Sequence, residues 1–179
     1  REIDSMRQLF SVEPEIAVCD LHPDYASTRL AQETGLPVFR VQHHHAHFAS
    51  VLAEHKISHP ALGFIWDGTG YGTDGTIWGG ETLFGTVKES QRAGHIQPFR
   101  LLGGEAAVHE PWRAALSVCD IALGRDAALR LFPAREHEAT LLLQAADAGL
   151  NAPVTTSMGR MFDAIASIAG IRESVSFEG

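Results

Sequence analysis

The sequence predicts a mixed α/β protein, and three observations carry this prediction. Short β-prone runs alternate with helical patterns from residue 2 to residue 66, which is typical of a parallel sheet covered by helices. Residues 67–81 hold six of the 17 glycines, which indicates turns between antiparallel strands. From residue 110 onward, apolar residues recur at helical spacing.

Strands are expected where apolar or β-branched runs are bounded by turn residues, and the run at 61–66 is apolar enough to predict burial on both faces. The predicted strands are 15–19, 38–41, 61–66, 76–78, 82–87, 94–101 and 174–177. The predicted helices are 2–10, 24–34, 43–56, 110–123, 125–132, 136–149 and 157–170. On the last helix, we assign an apolar stripe to the core; it consists of Met158, Met161, Phe162, Ile165 and Ile168.

The pattern changes from strand-like before residue 104 to helical from residue 110, which predicts a boundary between two lobes. The pair Gly103-Gly104 resembles a hinge, and Pro111 suits the first turn of a helix. We therefore place a partial first lobe at 1–104 and the helical start of a second lobe at 105–179. Both ends of the sequence fall within a regular pattern, so we expect the chain to be part of a longer protein.

The composition limits the classes of function. The formal net charge of −8 argues against a nucleic-acid partner, and 45% hydrophobic residues suit a globular core. No apolar run is long enough to span a bilayer and residues 1–4 show no signal-peptide pattern, so we expect no membrane partner. Cys19 and Cys119 lie in apolar runs, and we interpret them as buried residues of a reduced, cytoplasmic protein rather than as catalytic thiols.

Four of the ten histidines lie within residues 43–47, at the start of a predicted helix. His43 and His47 are four residues apart and therefore share a helix face, from which two imidazoles can bind one metal ion. His44 and His47, three apart, form an alternative pair. Since adjacent buried imidazoles would each need polar partners, metal binding explains the run better than core packing does.

Two imidazoles are too few for a tight metal site, so a third ligand is needed. Asp67 is the best candidate because it follows the predicted strand at 61–66, and the carboxyl ends of strands are where α/β sheets bind ligands. Asp20, His22 and Asp74 are weaker candidates, and Asp20 is equally well explained as the cap of the next turn. Two histidines and a carboxylate suit iron or zinc.

The segment 67–72, Asp-Gly-Thr-Gly-Tyr-Gly, predicts a phosphate-binding loop. Its glycines would let backbone N–H groups approach an anion closely, although a glycine-rich hairpin is equally consistent. The sequence contains neither a Walker A motif nor a G-x-G-x-x-G segment that opens a helix. A strand followed by Asp-Gly-Thr-Gly and a hairpin instead resembles the nucleotide-binding fold of actin, sugar kinases and Hsp70 (the ASKHA fold).

Two further segments extend the candidate nucleotide site. Gly79, Gly80 and Glu81 predict a bulge beside a strand, where Glu81 either faces solvent or lines the cleft. Gly159 and Arg160 follow a Thr-Thr-Ser segment at a predicted helix N-terminus. Free N–H groups at that position can bind an anion, or the serine can simply cap the helix.

Taken in order, these motifs resemble the HypF carbamoyltransferases, which mature [NiFe]-hydrogenases. The resemblance covers nearly the whole chain and concerns the C-terminal, threonylcarbamoyltransferase-like domain of that family. It rests on residues 19–25, 41–47, 67–72, 78–81, 111–113, 151–153, 157–164 and 177–179.

The resemblance implies an enzyme that transfers a carbamoyl group from carbamoyl-adenylate to the C-terminal cysteine of HypE, for cyanide ligand synthesis. Carbamoyl phosphate and ATP would enter through other domains. It assigns His43, His47 and Asp67 to a divalent metal, iron or zinc, and to catalysis, with a further metal aspartate expected outside this sequence. The candidate substrate- and nucleotide-binding residues are Asp67, Gly68, Thr69, Gly70, Gly79, Gly80, Glu81, Gly159, Arg160 and Gly179.

Two alternatives to this function remain. One is a threonylcarbamoyltransferase that acts on tRNA, which the acidic net charge disfavours. The other is a non-catalytic fragment that binds a metal or a nucleotide. Since the attacking sulfur would come from HypE, carbamoyl transfer requires no nucleophile within this chain.

Overall fold

A computed structural model describes residues 2–176 and confirms the mixed α/β class. The helices are α1 (Glu2–Phe10), α2 (Ala26–Glu33), α3 (His43–Glu54), α4 (Ala106–His109), α5 (Pro111–Leu123), α6 (Arg125–Leu131), α7 (Glu136–Asp147) and α8 (Met158–Ile168), with a 3₁₀ turn at Pro133–Arg135. The strands are β1 (Ala17–Asp20), β2 (Val38–Val41), β3 (Ala61–Tyr71), β4 (Ile77–Gly85), β5 (Ser90–His95), β6 (Phe99–Arg100) and β7 (Val154–Thr155).

The first part of the fold is a two-stranded parallel sheet with its helices. β1 pairs with β2 so that Asp20 lies opposite Val41, and α2 makes the crossover that parallel strands require. α3 begins directly after β2 because Gln42 caps it: the side-chain oxygen of Gln42 accepts a hydrogen bond from the N–H of His45 at 2.9 Å. The end of β1 and the first turn of α3 therefore lie side by side.

A second, five-stranded sheet is built on the hairpin of β3 and β4. The hairpin turn is closed by the N–H of Gly72, which donates to the carbonyl of Thr76 at 2.9 Å. We expected a strand that stops at Trp66 and a loop after it, but β3 continues to Tyr71 with an irregular register between Trp66 and Gly70. Asp67 therefore lies in a bulge within the strand.

The remaining strands complete this sheet in the order β3-β4-β7-β6, with β5 antiparallel to β4. Our separate strands at 76–78 and 82–87 are one strand, β4, whereas 94–101 contains parts of two strands. Residues 174–176 form no strand, and Phe177 lies outside the described residues. The sheet takes strands from both sides of the boundary that we placed at 104/105, so that division stays a prediction.

Two apolar clusters hold the molecule together. The larger surrounds α5, where Trp112 and Leu116 are inaccessible to solvent and α7 and α8 pack against them. In the smaller cluster, Phe48 and Leu52 of α3 pack on the β3–β4 hairpin. Both cysteines are buried as predicted, and burial raises the pKa of the Cys119 thiol. Within residues 2–176, no helix is both long and apolar enough to cross a membrane.

Two of our burial predictions are wrong. Alternate residues of β3, such as Phe64, are more than half exposed, because only the opposite face of the strand packs on α3. On α8, three residues of the stripe that we assigned to the core are exposed, Phe162, Ile165 and Ile168, whereas Met158 is buried and Met161 packs against the larger cluster as predicted. α8 instead turns Ala164 and Ser167 inward, since small side chains let its axis approach α5 closely.

Candidate functional site

His43, His47 and Asp67 converge where α3 meets the bulge of β3. The Nε2 atom of His43 lies 2.9 Å from Oδ2 of Asp67 and 3.2 Å from Nε2 of His47. Oδ2 of Asp67 is 3.7 Å from Nε2 of His47, and the other carboxylate oxygen accepts from the N–H of Gly68 at 2.7 Å. The structure therefore assembles the three residues that we predicted as metal ligands, all within 4.8 Å.

The spacing of these three atoms fits a metal ion. Zinc bound by imidazole and carboxylate at ordinary distances separates neighbouring ligand atoms by about 3.3 Å, close to the observed separations. Oδ2 of Asp67 is buried and its near polar neighbours are the Nε2 atoms of His43 and His47, so a cation held between the three atoms would satisfy the carboxylate. The donor set suits iron or zinc, as expected from the sequence.

Asp20 does not belong to this cluster, although it was among the weaker ligand candidates. Its Oδ1 accepts from the N–H of His22 at 2.8 Å, which confirms the turn-cap interpretation. Its Oδ2 lies 2.7 Å from Nδ1 of His43, on the side of the ring opposite the cluster. The structure also leaves His22 outside the cluster, where its ring stacks on Tyr25.

The other two histidines of the run lie on different faces of α3. His44 is fully buried, its Nδ1 lies 3.1 Å from the side-chain nitrogen of Gln42, and burial lowers its pKa to about 4. It is therefore neutral at pH 7, and the alternative pair of His44 with His47 is not formed at the cluster. Nδ1 of His45 faces the hydroxyl of Ser90 at 2.8 Å.

The N-terminus of α8 is docked onto the bulge next to Asp67. The hydroxyl of Ser157 donates to the carbonyl of Gly68 at 2.5 Å and accepts from the N–H of Arg160 at 3.0 Å. A Cβ atom on Gly159 would lie 3.1 Å from the Cα of Gly68. Gly68, Gly159 and Arg160 are thus brought together as predicted, and Ser157 caps the helix.

The other glycines of the predicted site pack against backbone or ring atoms. Gly70 is buried, and a Cβ atom there would lie 2.5 Å from the ring of His44, whereas Thr69 is exposed. Gly79 and Gly80 lie against the segment that precedes α8, where a Cβ atom on Gly80 would meet the carbonyl of Thr156 at 2.8 Å. Gly179 lies outside the described residues.

Gly79→Ala is expected to disturb the site through backbone contact. Its Cβ would lie 2.6 Å from both the carbonyl oxygen of Asp67 and the Cα of Ser157, so β4 or α8 must shift. We expect a loss of about 1–3 kcal/mol in the free energy of unfolding, as for other over-packed positions. Urea denaturation measures this loss. Gly94→Ala, whose nearest contact would be 3.9 Å, is the control; equal stability of the two variants would contradict the close approach.

Glu81 is enclosed rather than presented to the cluster. Its side chain is 0% exposed; it accepts from the N–H of Gly79 at 3.1 Å, from Nε of Arg92 at 2.6 Å and from the hydroxyl of Thr156. Both carboxylate oxygens are therefore engaged within the protein. We predicted that Glu81 binds the nucleotide; its buried position suits support of the surrounding backbone better than direct contact with a ligand.

Asp74 also lies outside the cluster. Burial alone would raise the pKa of its carboxyl, but hydrogen bonds from Thr76 and Trp78 and the charge of Arg92 hold that pKa below its usual range. Oδ1 of Asp74 accepts from the N–H of Thr76 at 3.0 Å, and Oδ2 pairs with Arg92 at 3.0 Å. The residue fixes the turn of the hairpin.

Two residues beside the cluster, Tyr25 and Gln42, were not among the predicted site residues. Tyr25 is half-buried, and its pKa is raised by burial and by the negative charges of Asp20 and Asp67. Gln42 caps α3 and donates to the carbonyl of Tyr71 at 3.1 Å, which joins the helix to the end of β3. The position of Gln42 just before a helical pattern was a usable signal for a cap, whereas nothing local indicated Tyr25.

Comparison with known proteins agrees with this architecture. A family model described as "Carbamoyltransferase, Kae1-like Domain, second subdomain" matches residues 63–179, and one described as "HypF Kae1-like domain" matches residues 1–54. The chain belongs to the HypF carbamoyltransferase family. The resemblance on which our sequence interpretation relied is confirmed. His43 and His47 fall in the match to residues 1–54 and Asp67 falls in the match to residues 63–179, so the cluster forms where the two matched regions meet.

Curated HypF relatives match almost the whole chain. Carbamoyltransferase HypF of Rhizobium leguminosarum bv. viciae is 45% identical over 172 residues, which cover 96% of this chain and 22% of the relative. Carbamoyltransferase HypF of Synechocystis sp. is 41% identical, with 99% of this chain and 25% of the relative covered. The chain thus spans about a quarter of the length of these enzymes.

Solved HypF structures share the fold. A crystal structure of full-length HypF in the phosphate- and nucleotide-bound form superposes with a TM-score of 0.92 at 38% identity, covering 99% of this chain and 28% of that one. The HypF of T. kodakarensis gives a TM-score of 0.84 at 30% identity, covering 99% and 26%. These matches confirm the ASKHA-type fold of part of a Kae1-like domain.

Proposed function

We propose that this chain forms part of the centre at which a HypF enzyme transfers a carbamoyl group from carbamoyl-adenylate to the C-terminal cysteine of HypE. The observation that carries the proposal is the convergence of His43, His47 and Asp67 beside Gly68. It is supported by the family membership and by the nucleotide in the solved relative. The reported relatives and the acidic net charge favour this activity over modification of a tRNA.

In this proposal, His43, His47 and Asp67 hold a divalent iron or zinc ion. When bound, the ion supplies a Lewis acid that polarises an oxygen of the substrate. The N–H groups around the bulge, which Ser157 holds against α8, orient the phosphate of the adenylate beside that ion. The thiolate of HypE attacks the carbamoyl carbon, the bond from that carbon to the phosphate oxygen breaks, and AMP leaves as the thiocarbamate forms.

This division of roles agrees with the cysteines of the chain. Both are buried, and the pKa of Cys119 is raised, so neither side chain is prepared to act as a nucleophile. The sulfur therefore comes from the acceptor protein in the proposed reaction. We place that reaction in the cytoplasm, where thiols remain reduced.

The proposal is tested with the intact protein that contains this chain, supplied with radiolabelled carbamoyl phosphate, ATP and purified HypE. We expect label on the C-terminal cysteine of HypE, and we expect Asp67→Asn to abolish that label while adenylate formation continues, as measured by release of pyrophosphate. Asp126→Asn, an exposed change on α6, is the matched control. If the wild-type protein forms the adenylate but transfers no label to HypE, HypE is not the acceptor.

A further inference from the structure

The carboxylate of Asp20 makes two contacts, and its role as a turn cap explains only one of them. One oxygen caps the turn after β1 by accepting from the N–H of His22, and the other lies 2.7 Å from Nδ1 of His43. The Asp20 side chain is only 15% exposed. A largely buried carboxylate that contacts the ring nitrogen of a histidine opposite its metal-facing nitrogen is the arrangement that orients metal ligands in other proteins.

We infer that Asp20 is a positioning residue that fixes the tautomer and the orientation of His43. An ionised carboxylate can only accept hydrogen bonds, so a neutral ring whose Nε2 binds the ion donates its one proton from Nδ1 to Asp20. The lone pair of Nε2 is then directed at the cluster, 2.9 Å from Asp67 and 3.2 Å from His47. Without the ion, Oδ2 of Asp67 lies 2.9 Å from Nε2 and competes for that proton. The inference rests on the proposed metal site and assigns a function to a residue that lies outside it.

The surroundings of Asp20 hold it in place for this role. The turn that it caps is also fastened by Thr28, whose hydroxyl donates to the carbonyl of His22 at 2.8 Å. β1 ends at Asp20 and is paired to β2, and α3 follows β2 after a single residue. Because these elements are adjacent and hydrogen-bonded, the carboxylate and the imidazole meet without a flexible segment between them.

Asp20→Asn separates the two contacts because an amide has one oxygen where the carboxylate has two. If that oxygen continues to cap His22, the amide nitrogen faces Nδ1 of His43 and donates to it. The proton of the ring then moves to Nε2, where it blocks metal binding. The variant therefore preserves the shape of the turn and reverses the tautomer, as amide substitutions do in other carboxylate–histidine pairs.

The first test is ¹⁵N NMR of the histidine-labelled full chain without metal, in an Asp67→Ala background that removes the carboxylate at Nε2 of His43 and leaves Asp20 at Nδ1. We expect the ring proton on Nδ1 when residue 20 is aspartate and on Nε2 in Asp20→Asn. Asp24→Asn removes an exposed carboxylate from the same segment and should leave the tautomer unchanged. A proton on Nδ1 with either residue at position 20 would overturn the inference.

The second test is zinc affinity, measured by competition with a chromophoric chelator, with His43→Ala as the background. We expect Asp20→Asn to weaken binding about 10–100-fold, Asp20→Glu to recover part of the loss, and Asp24→Asn to bind as the wild type does. Unchanged zinc affinity in Asp20→Asn would overturn the positioning role and leave the metal proposal intact. A wild-type chain that binds no zinc, together with the tautomer change in the first test, would count against the metal site alone.

Discussion

Replacing His43 and His47 together with alanine is expected to remove one equivalent of metal from the intact protein and to slow labelling of HypE by roughly 10³-fold. The two Nε2 atoms supply two of the three converging ligand atoms, and Asp67 with the further aspartate expected outside this sequence leaves too few ligands for tight binding. A metal that polarises the reacting carbonyl contributes several kcal/mol to the transition state, which corresponds to that factor. Metal content is measured by mass spectrometry, and labelling is measured as initial rates.

The matched control for this prediction is His55→Gln. His55 caps the C-terminal end of the same helix and is exposed, so its replacement should change neither metal content nor rate. Circular dichroism shows whether the double variant is folded. If the folded double variant keeps its full metal content and labels HypE at the wild-type rate, the metal site proposed at α3 is wrong.

Glu81→Ala is expected to lower the free energy of unfolding by about 3–5 kcal/mol. Removing the carboxylate leaves Arg92 without its closest partner in the hairpin, and the N–H of Gly79 and the hydroxyl of Thr156 lose their acceptor. The effect is large because the carboxylate is fully enclosed. Urea denaturation of the full chain, followed by circular dichroism, measures it.

Glu89→Ala is the control for this second prediction, since Glu89 carries an exposed carboxylate in the turn between β4 and β5. Its effect should stay within about 0.5 kcal/mol, as for most surface substitutions. A loss below 1 kcal/mol in Glu81→Ala would show that the enclosed network contributes little to stability. Because the network also reaches Thr156, we expect Glu81→Ala to loosen α8 from Gly68 as well.

Much of the site could be predicted because its signals are local. The spacing of His43 and His47 fixes their common helix face, and Asp67 stands next to an apolar run. Ser157, three residues before Arg160, has the position of a helix cap, and the structure confirms that cap. Each of these inferences needs only a few neighbouring residues.

The wrong burial predictions concern faces whose packing partners lie far away in the sequence. An unbroken apolar run does not reveal which face of β3 is covered, and Phe48 packs on only one of them. On α8, the small residues at Ala164 and Ser167 face α5, although larger apolar residues suggested the opposite face. Asp20 could be recognised as a turn cap, but its contact with His43 spans 23 positions and depends on the pairing of β1 with β2.

The cluster joins two sheets that share no strand. His43 and His47 extend from the unit that contains β1 and β2, whereas Asp67 belongs to the five-stranded sheet. An ion held by all three would act as a reversible cross-link between the two subdomains. Coupling of this kind is reciprocal. If the metal favours the closed arrangement of the subdomains, a ligand or domain that stabilises that arrangement must increase the affinity for the metal by the same factor. A chelator would then remove this link and leave the junction to contacts such as the packing of Phe48 and Leu52 on the β3–β4 hairpin.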